Sequence, residues 1–233
     1  MKTKRSSVIR VRSLAAAIAA YVLCVASVAM ASESVTVVSG PPEKASGLYN
    51  ALELGLGIGY SQPTGDVASG SPTLGDIAGP GASVELSIGW RINPNFLVGA
   101  YGTGAWFSTG DNAGSALNSW STTAGVQGNY HILPGNDLDP WIGLGAGWRG
   151  YWVNRPEGRD ARHGVDLARL QIGVDIPVVT GVSISPFAGA TASLFLTQQL
   201  AQETSFSNIS SPNVNVFFTA GVMGRFDVLG STR

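Results

Sequence analysis

Beyond residue 31 the chain has no cysteine, one lysine (Lys44) and two histidines, and only 12% of the 233 residues are charged. The single cysteine, Cys24, lies inside an N-terminal apolar run. The rest of the chain therefore has no disulfide, no thiolate metal site and no cysteine nucleophile. It also has no HExxH and no paired-histidine spacing, which removes the usual zinc-site patterns. After residue 31 no stretch reaches the roughly 18–20 consecutive apolar residues of a spanning helix. Basic charge is scarce as well. The first 31 residues hold five of the 14 basic residues and none of the 15 acidic ones, leaving nine basic against 15 acidic, a charge of −6. A phosphate-binding surface needs a basic patch, so nucleic acid is excluded as a partner.

What is present begins with a targeting signal. Lys2, Lys4, Arg5, Arg10 and Arg12 precede an apolar run over 14–28, and Ala29-Met30-Ala31 offers a small-x-small cleavage site. Residues 1–31 read as a cleaved signal peptide. Residues 32–47, with Gly40-Pro41-Pro42, read as a polar leader.

The remainder alternates with period two. Val84, Leu86, Ile88, Trp90 and Ile92 are apolar, while Glu85, Ser87, Gly89 and Arg91 between them are small or charged. The same pattern returns over 52–60, 170–176 and 214–228. Such strands have one apolar and one polar face. The polar face carries glycines and charges but no large apolar groups, which suits a barrel with lipid outside. A membrane span without helices must close, because lipid cannot satisfy open backbone groups. The expected fold is all-β, an eight-stranded antiparallel transmembrane β-barrel over 48–228, with a short tail at 229–233. The strands are expected at 48–60, 81–92, 96–107, 119–132, 139–152, 164–176, 182–196 and 213–228. Connections alternate: long at 61–80, 108–118, 153–163 and 197–212, short at 93–95, 133–138 and 177–181. Outer-membrane barrels keep their short turns in the periplasm, which would put both termini there. A soluble lipocalin-like barrel is the competing fold.

Turning the apolar face outward sends Glu53, Glu85, Arg91, Arg149, Arg169, Asp175, Arg225 and Asp227 into the lumen. Eight strands leave an interior that side chains can fill, so these charges are expected to neutralise one another. An aromatic belt at the two membrane interfaces is expected from Tyr60, Trp106, Trp120 and Trp152 at the long-loop ends. Trp90, Tyr130, Trp141 and Phe226 would form it at the short-turn ends. Phe107, Tyr151 and Phe195 fall near the long-loop ends too. His131 lies beside a short turn on the inward-facing set, and His163 lies in the 153–163 loop beside Arg159, Asp160 and Arg162. Neither forms a catalytic pattern with a local serine or acid. No catalytic residue, metal ligand or cofactor is assigned. The Gly143–Gly147 run lies within a strand and reads as barrel glycines, and Asn208-Ile209-Ser210 is set aside as a sequon.

Residues 48–60, the segment Pro140-Trp141-Ile142-Gly143-Leu144-Gly145-Ala146-Gly147-Trp148 and the last strand over 214–226 resemble the small outer-membrane barrels, the OmpA-like, OmpX-like and opacity-protein group. That resemblance implies a bacterial outer-membrane location, with outer-membrane lipids and lipopolysaccharide as surroundings. It also implies the barrel-assembly machinery as a biogenesis partner, reading a terminal aromatic residue. Phe226 is similar to that signal, but seven residues follow it. The implied role is structural or surface-interacting, with the long loops meeting an extracellular protein or matrix ligand. A narrow pore or small-molecule conduit is the alternative, and a lipid A-modifying enzyme the third reading.

Overall fold

A computed structural model describes residues 48–68 and 73–232. The expected signal peptide (1–31) and leader (32–47) lie outside the described residues. The elements are β1 (Leu48–Thr64), one helical turn α1 (Leu74–Ile77), β2 (Ala78–Arg91), β3 (Phe96–Thr109), β4 (Asn118–His131), β5 (Asp139–Arg155), β6 (Gly158–Val179), β7 (Val182–Gln199), the two-residue β8 (Ser207–Asn208) and β9 (Val214–Thr232). Successive long strands pair antiparallel from β1 to β7, β7 pairs with β9, and β9 pairs with β1 from Leu48↔Thr232 to Thr64↔Val216. The ladder closes into an eight-stranded barrel. β8 adds two residues to the upper edge of β7.

Closure explains the side-chain pattern. With the wall paired strand to strand all the way round, the two faces differ in what side chains they carry. Leu54, Leu56 and Ile58 on β1 face outward, as do Val84, Leu86 and Ile88 on β2 and Ile142 and Leu144 on β5. Ile58 and Val126 are 67% exposed and Leu144 63%. A continuous apolar girdle of this kind far exceeds the few hundred Å² that a soluble monomer exposes. It rules out a lipocalin-like arrangement, in which those side chains would point inward. No helix among the described residues is long and apolar enough to cross a membrane.

The short turns are fixed locally. Asn93 Oδ1 accepts from the Asn95 amide at 3.0 Å and the Phe96 amide at 2.9 Å, closing the β2–β3 turn by side chain rather than by backbone alone. The β6–β7 turn has two residues, and Gly181 takes a φ of +75°, where a side chain would be strained.

Three segments differ from expectation. Residues 153–163 are not a long loop. β5 runs to Arg155 and β6 starts at Gly158, so a tall hairpin turns on Pro156 and Glu157 alone. Its charges, which read as a solvated loop, are instead partly paired, with Arg155 Nε 2.8 Å from Asp160 Oδ2. Residues 229–232 are not a free tail: β9 continues through them against β1, with Leu52↔Leu229 and Tyr49↔Ser231. Finally, the lumen does hold large apolar groups. Phe107, Tyr151 and Phe195, read from sequence as near the membrane interface, point inward and are buried. With Phe217, Val153, Leu74, Ile77 and Val67 they form an apolar core at the long-loop end. Val67 on one side of the connection and Leu74 and Ile77 on the other complete it at the barrel mouth. Thr73 caps α1 there, its Oγ1 accepting from the Asp76 amide at 3.0 Å.

Candidate functional site

The lumen gathers the polar chemistry of the molecule. Odd-numbered residues point inward along β1 to β5, which places Glu53, Glu85, Arg91 and Arg149 inside; Arg169, Asp175 and Arg225 join them from β6 and β9, and all seven are buried. They fall into tiers along the barrel axis.

In the tier at the short-turn end, Glu53 bridges two arginines. Arg91 Nη2 donates to Oε2 at 2.5 Å and Arg225 Nη1 to Oε1 at 2.7 Å. Arg225 Nε lies 3.3 Å from Asp175 Oδ1, and its guanidinium sits 4.4 Å over the Trp141 ring. Arg91 Nη1 also donates to the Pro94 carbonyl at 3.1 Å. Asp227 stands opposite Glu53 in the β1–β9 register, half-buried, and lies within ion-pair distance of no described cation.

In the middle tier, Arg169 Nη2 lies 2.6 Å from Glu85 Oε2, and Gln171 Nε2 donates to the same oxygen at 3.4 Å. The Arg169 guanidinium covers the Tyr101 ring at 4.0 Å. Gly125 and Gly145 on the next strands leave room for that ring. A Cβ at Gly125 would come within 2.7 Å of Tyr101 Cε1.

In the upper tier, Arg149 grips Asp166 with both edges, Nε to Oδ1 at 2.7 Å and Nη2 to Oδ2 at 3.0 Å. Ser193 Oγ donates to Asp166 Oδ1 at 2.5 Å, and Arg149 lies 3.9 Å over the Phe217 ring. The cavity among the middle and upper tiers is about 30 Å³, room for a few waters at most.

Sequence reasoning missed Asp166, Ser193 and Tyr101, and it paired neither histidine. His131 is fully buried on the inner wall, its Nδ1 2.7 Å from Asp139 Oδ2 and 3.6 Å from Asp175 Oδ2. His131, Asp139 and Asp175 bring ligand-type atoms within 4.8 Å of one another, the spacing a cation site needs. Two of the carboxylate oxygens are engaged elsewhere: Asp139 Oδ1 accepts from the Leu133 amide at 3.2 Å, and Asp175 Oδ1 lies 3.3 Å from Arg225 Nε. The trio reads as the rim of the ion-pair network. His163 is not in a loop; it lies on the outer wall, 5.5 Å from the Trp148 ring, 5.6 Å from Trp152 and 5.0 Å from Phe206. Asp160 points the other way, into the barrel, so the two are not brought together.

Of the aromatic set, Trp90, Trp106, Tyr130 and Phe226 are exposed on the outer wall, and Tyr60, Trp120 and Trp152 are half-exposed there. Trp120 stacks on Trp152 with ring centroids 4.0 Å apart, and Phe96 packs on Tyr130 at 4.9 Å. Trp90 Nε1 donates to Asn50 Oδ1 at 3.1 Å. Trp141 is the exception and a correction. It is 2% exposed, packs inside with Phe187 and Met223, and donates to Ser185 Oγ at 2.9 Å. At position 141 the odd-inward phase of β5 decides the side, not nearness to a strand end.

No protein-family model matches the chain, and no curated protein matches it. Solved structures do. Neisserial surface protein A matches with a TM-score of 0.52 at 12% identity, over 76% of this chain and 96% of that one. The outer membrane protein OprG from Pseudomonas aeruginosa matches with a TM-score of 0.48 at 10% identity, over 80% and 100%. Ail, the attachment invasion locus protein of Yersinia pestis, matches with a TM-score of 0.42 at 13% identity, over 76% and 99%. Together with the closed ladder and the apolar outer face, the likeness to Neisserial surface protein A gives the fold: an eight-stranded antiparallel transmembrane β-barrel of the small outer-membrane type.

Proposed function

We propose that this protein is an integral outer-membrane barrel whose lumen is sealed and whose long loops make its contacts with an extracellular protein or matrix ligand. The observation that carries the reading is the filled interior. Three tiers of ion pairs occupy the barrel, free space between the upper two is about 30 Å³, and an apolar core lies above them at the loop end. A conduit needs a wetted path past such groups. A packed apolar cap and buried ion pairs, one of them bidentate, instead make a rigid base for loops. The exposed segment with Gln202, Glu203, Phe206 and Ser207, and the one with Asp111, Asn112 and Leu117, supply polar and apolar contact groups on the same end. Both termini then face the periplasm, with the short turns.

The lipid-modifying reading has no support from the histidines. Among the described residues no hydrogen bond joins either one to a serine. Single-channel recording in planar bilayers tests the main reading. Purified protein is expected to insert without steady conductance, and stable, repeatable openings would overturn it.

A further inference from the structure

One cavity plays no part in the lumen network. It measures about 300 Å³ and lies under the long loops, within the size range of small-molecule sites. Val67, Ile77 and Ile209 form its apolar side, and Gln198 and Asn208 stand at its polar side, with Asn208 exposed to solvent. Arg162 of β6 completes the lining.

Arg162 is out of keeping with the other buried arginines. Arg91, Arg149, Arg169 and Arg225 each face a carboxylate at 3.0 Å or less. Arg162, only 8% exposed, has no described carboxylate within ion-pair distance. Its near neighbour in sequence, Asp160, is held by Arg155 at 2.8 Å and by the Ala201 amide at 3.0 Å. Among the described residues Arg162 Nε and Nη1 have no acceptor. A buried cation whose nearest carboxylate is already held by another arginine is poorly compensated, and an unsatisfied buried group beside a cavity calls for a ligand.

We propose that the cavity binds a small organic carboxylate, its anionic end on Arg162 and its apolar body against Val67, Ile77 and Ile209. One guanidinium matches one negative charge, and its planar fork suits the two oxygens of a carboxylate. The apolar side selects an organic acid over a fully hydrated inorganic anion.

Calorimetric titration of the protein in non-ionic micelles tests this with benzoate as probe and benzyl alcohol, benzylamine and inorganic phosphate as comparators. Benzoate is expected to bind saturably, at least ten-fold tighter than any comparator. Arg162→Gln should weaken benzoate at least ten-fold. Arg159→Gln, at an exposed position on the same strand, should leave it unchanged. If Arg162→Gln loses its folded gel band, Arg162→Lys replaces it and should bind benzoate measurably but more weakly than wild type. Absence of saturable binding, equal affinity for benzyl alcohol or phosphate, or undiminished binding by the Arg162 variant would overturn the proposal.

Discussion

Replacing Arg225 by methionine is the sharpest test of the charge network at the short-turn end. That tier holds four carboxylates, Glu53, Asp139, Asp175 and Asp227, against Arg91, Arg225 and His131. Removing Arg225 leaves Glu53 with Arg91 at 2.5 Å, still well paired. Asp175 is the group orphaned, since its other neighbour is His131 at 3.6 Å. Breaking one side of a buried pair costs about 3–5 kcal/mol. The lost contact over Trp141 adds roughly 0.5–2 kcal/mol, and methionine burial recovers about 1–2 kcal/mol. The net expectation is about 3–5 kcal/mol.

The same geometry names its own rescue. Arg225→Met with Asp175→Asn removes the stranded charge without touching the Arg91–Glu53 pair, so the double variant should regain about 1–2 kcal/mol over Arg225→Met alone. Urea unfolding in lipid vesicles, followed by heat-dependent gel mobility, measures both. A single variant within 1 kcal/mol of wild type, or a double variant no more stable than the single, would refute the reasoning.

Other positions test other parts of the barrel. Arg169→Leu leaves Glu85 with only Gln171 Nε2 at 3.4 Å, and should lower urea resistance in lipid by about 3–5 kcal/mol; unchanged resistance would remove the middle tier from the argument. Gly173→Ala would set a Cβ 2.5–2.6 Å from the Trp141 ring and 2.9 Å from the Pro186 carbonyl, at a cost of about 1–3 kcal/mol. Gly128→Ala, where the nearest atom would be 3.8 Å away, is its neutral control in the same unfolding assay. Leu144→Arg puts a charge on the lipid face and should cost about 2–4 kcal/mol near the bilayer midplane, read as reduced folding yield into vesicles.

The barrel was legible in the sequence because period-two alternation is a direct image of a two-faced wall. The stretch from Val84 to Ile92 shows it without interruption, and there Glu85 and Arg91 could be placed inside by parity alone. Parity fails on β6. Asp160, Arg162 and Asp166 point inward as even positions, and Arg169, Gln171 and Asp175 as odd ones. The register of β6 slips against β5 between Gly145 and Gly147 and against β7 between Asp166 and Ala168, so Leu167 and Ala168 are both exposed. Counting back by twos from Arg169 therefore puts Asp166 on the wrong face and hides the partner of Arg149. The signal was there: two consecutive apolar residues between two charges, where strict alternation allows one. The 153–163 hairpin was obscured differently. Pro156, Glu157 and Gly158 read as loop composition, but only Pro156 and Glu157 form the turn, and the charges around them belong to strands that rise past the aromatic residues.

One unit recurs up the lumen: Arg225 with Glu53 and Trp141, Arg169 with Glu85 and Tyr101, Arg149 with Asp166 and Phe217. Each guanidinium gives its edge to a carboxylate and its face to a ring. The division follows from the group itself, since its donors lie in one plane and its faces are weakly hydrated. It has a consequence for transport. A passing ion would gain nothing from a charge already neutralised at 2.6–2.7 Å. A passing hydrophobe would meet paired charges that it cannot solvate. Opening the path would require parting an ion pair and a stacked ring in the same tier, against the cost of stranding a buried charge. Three such tiers in series favour a sealed barrel over a conduit. On that reading recognition falls to the end where the long loops meet solvent.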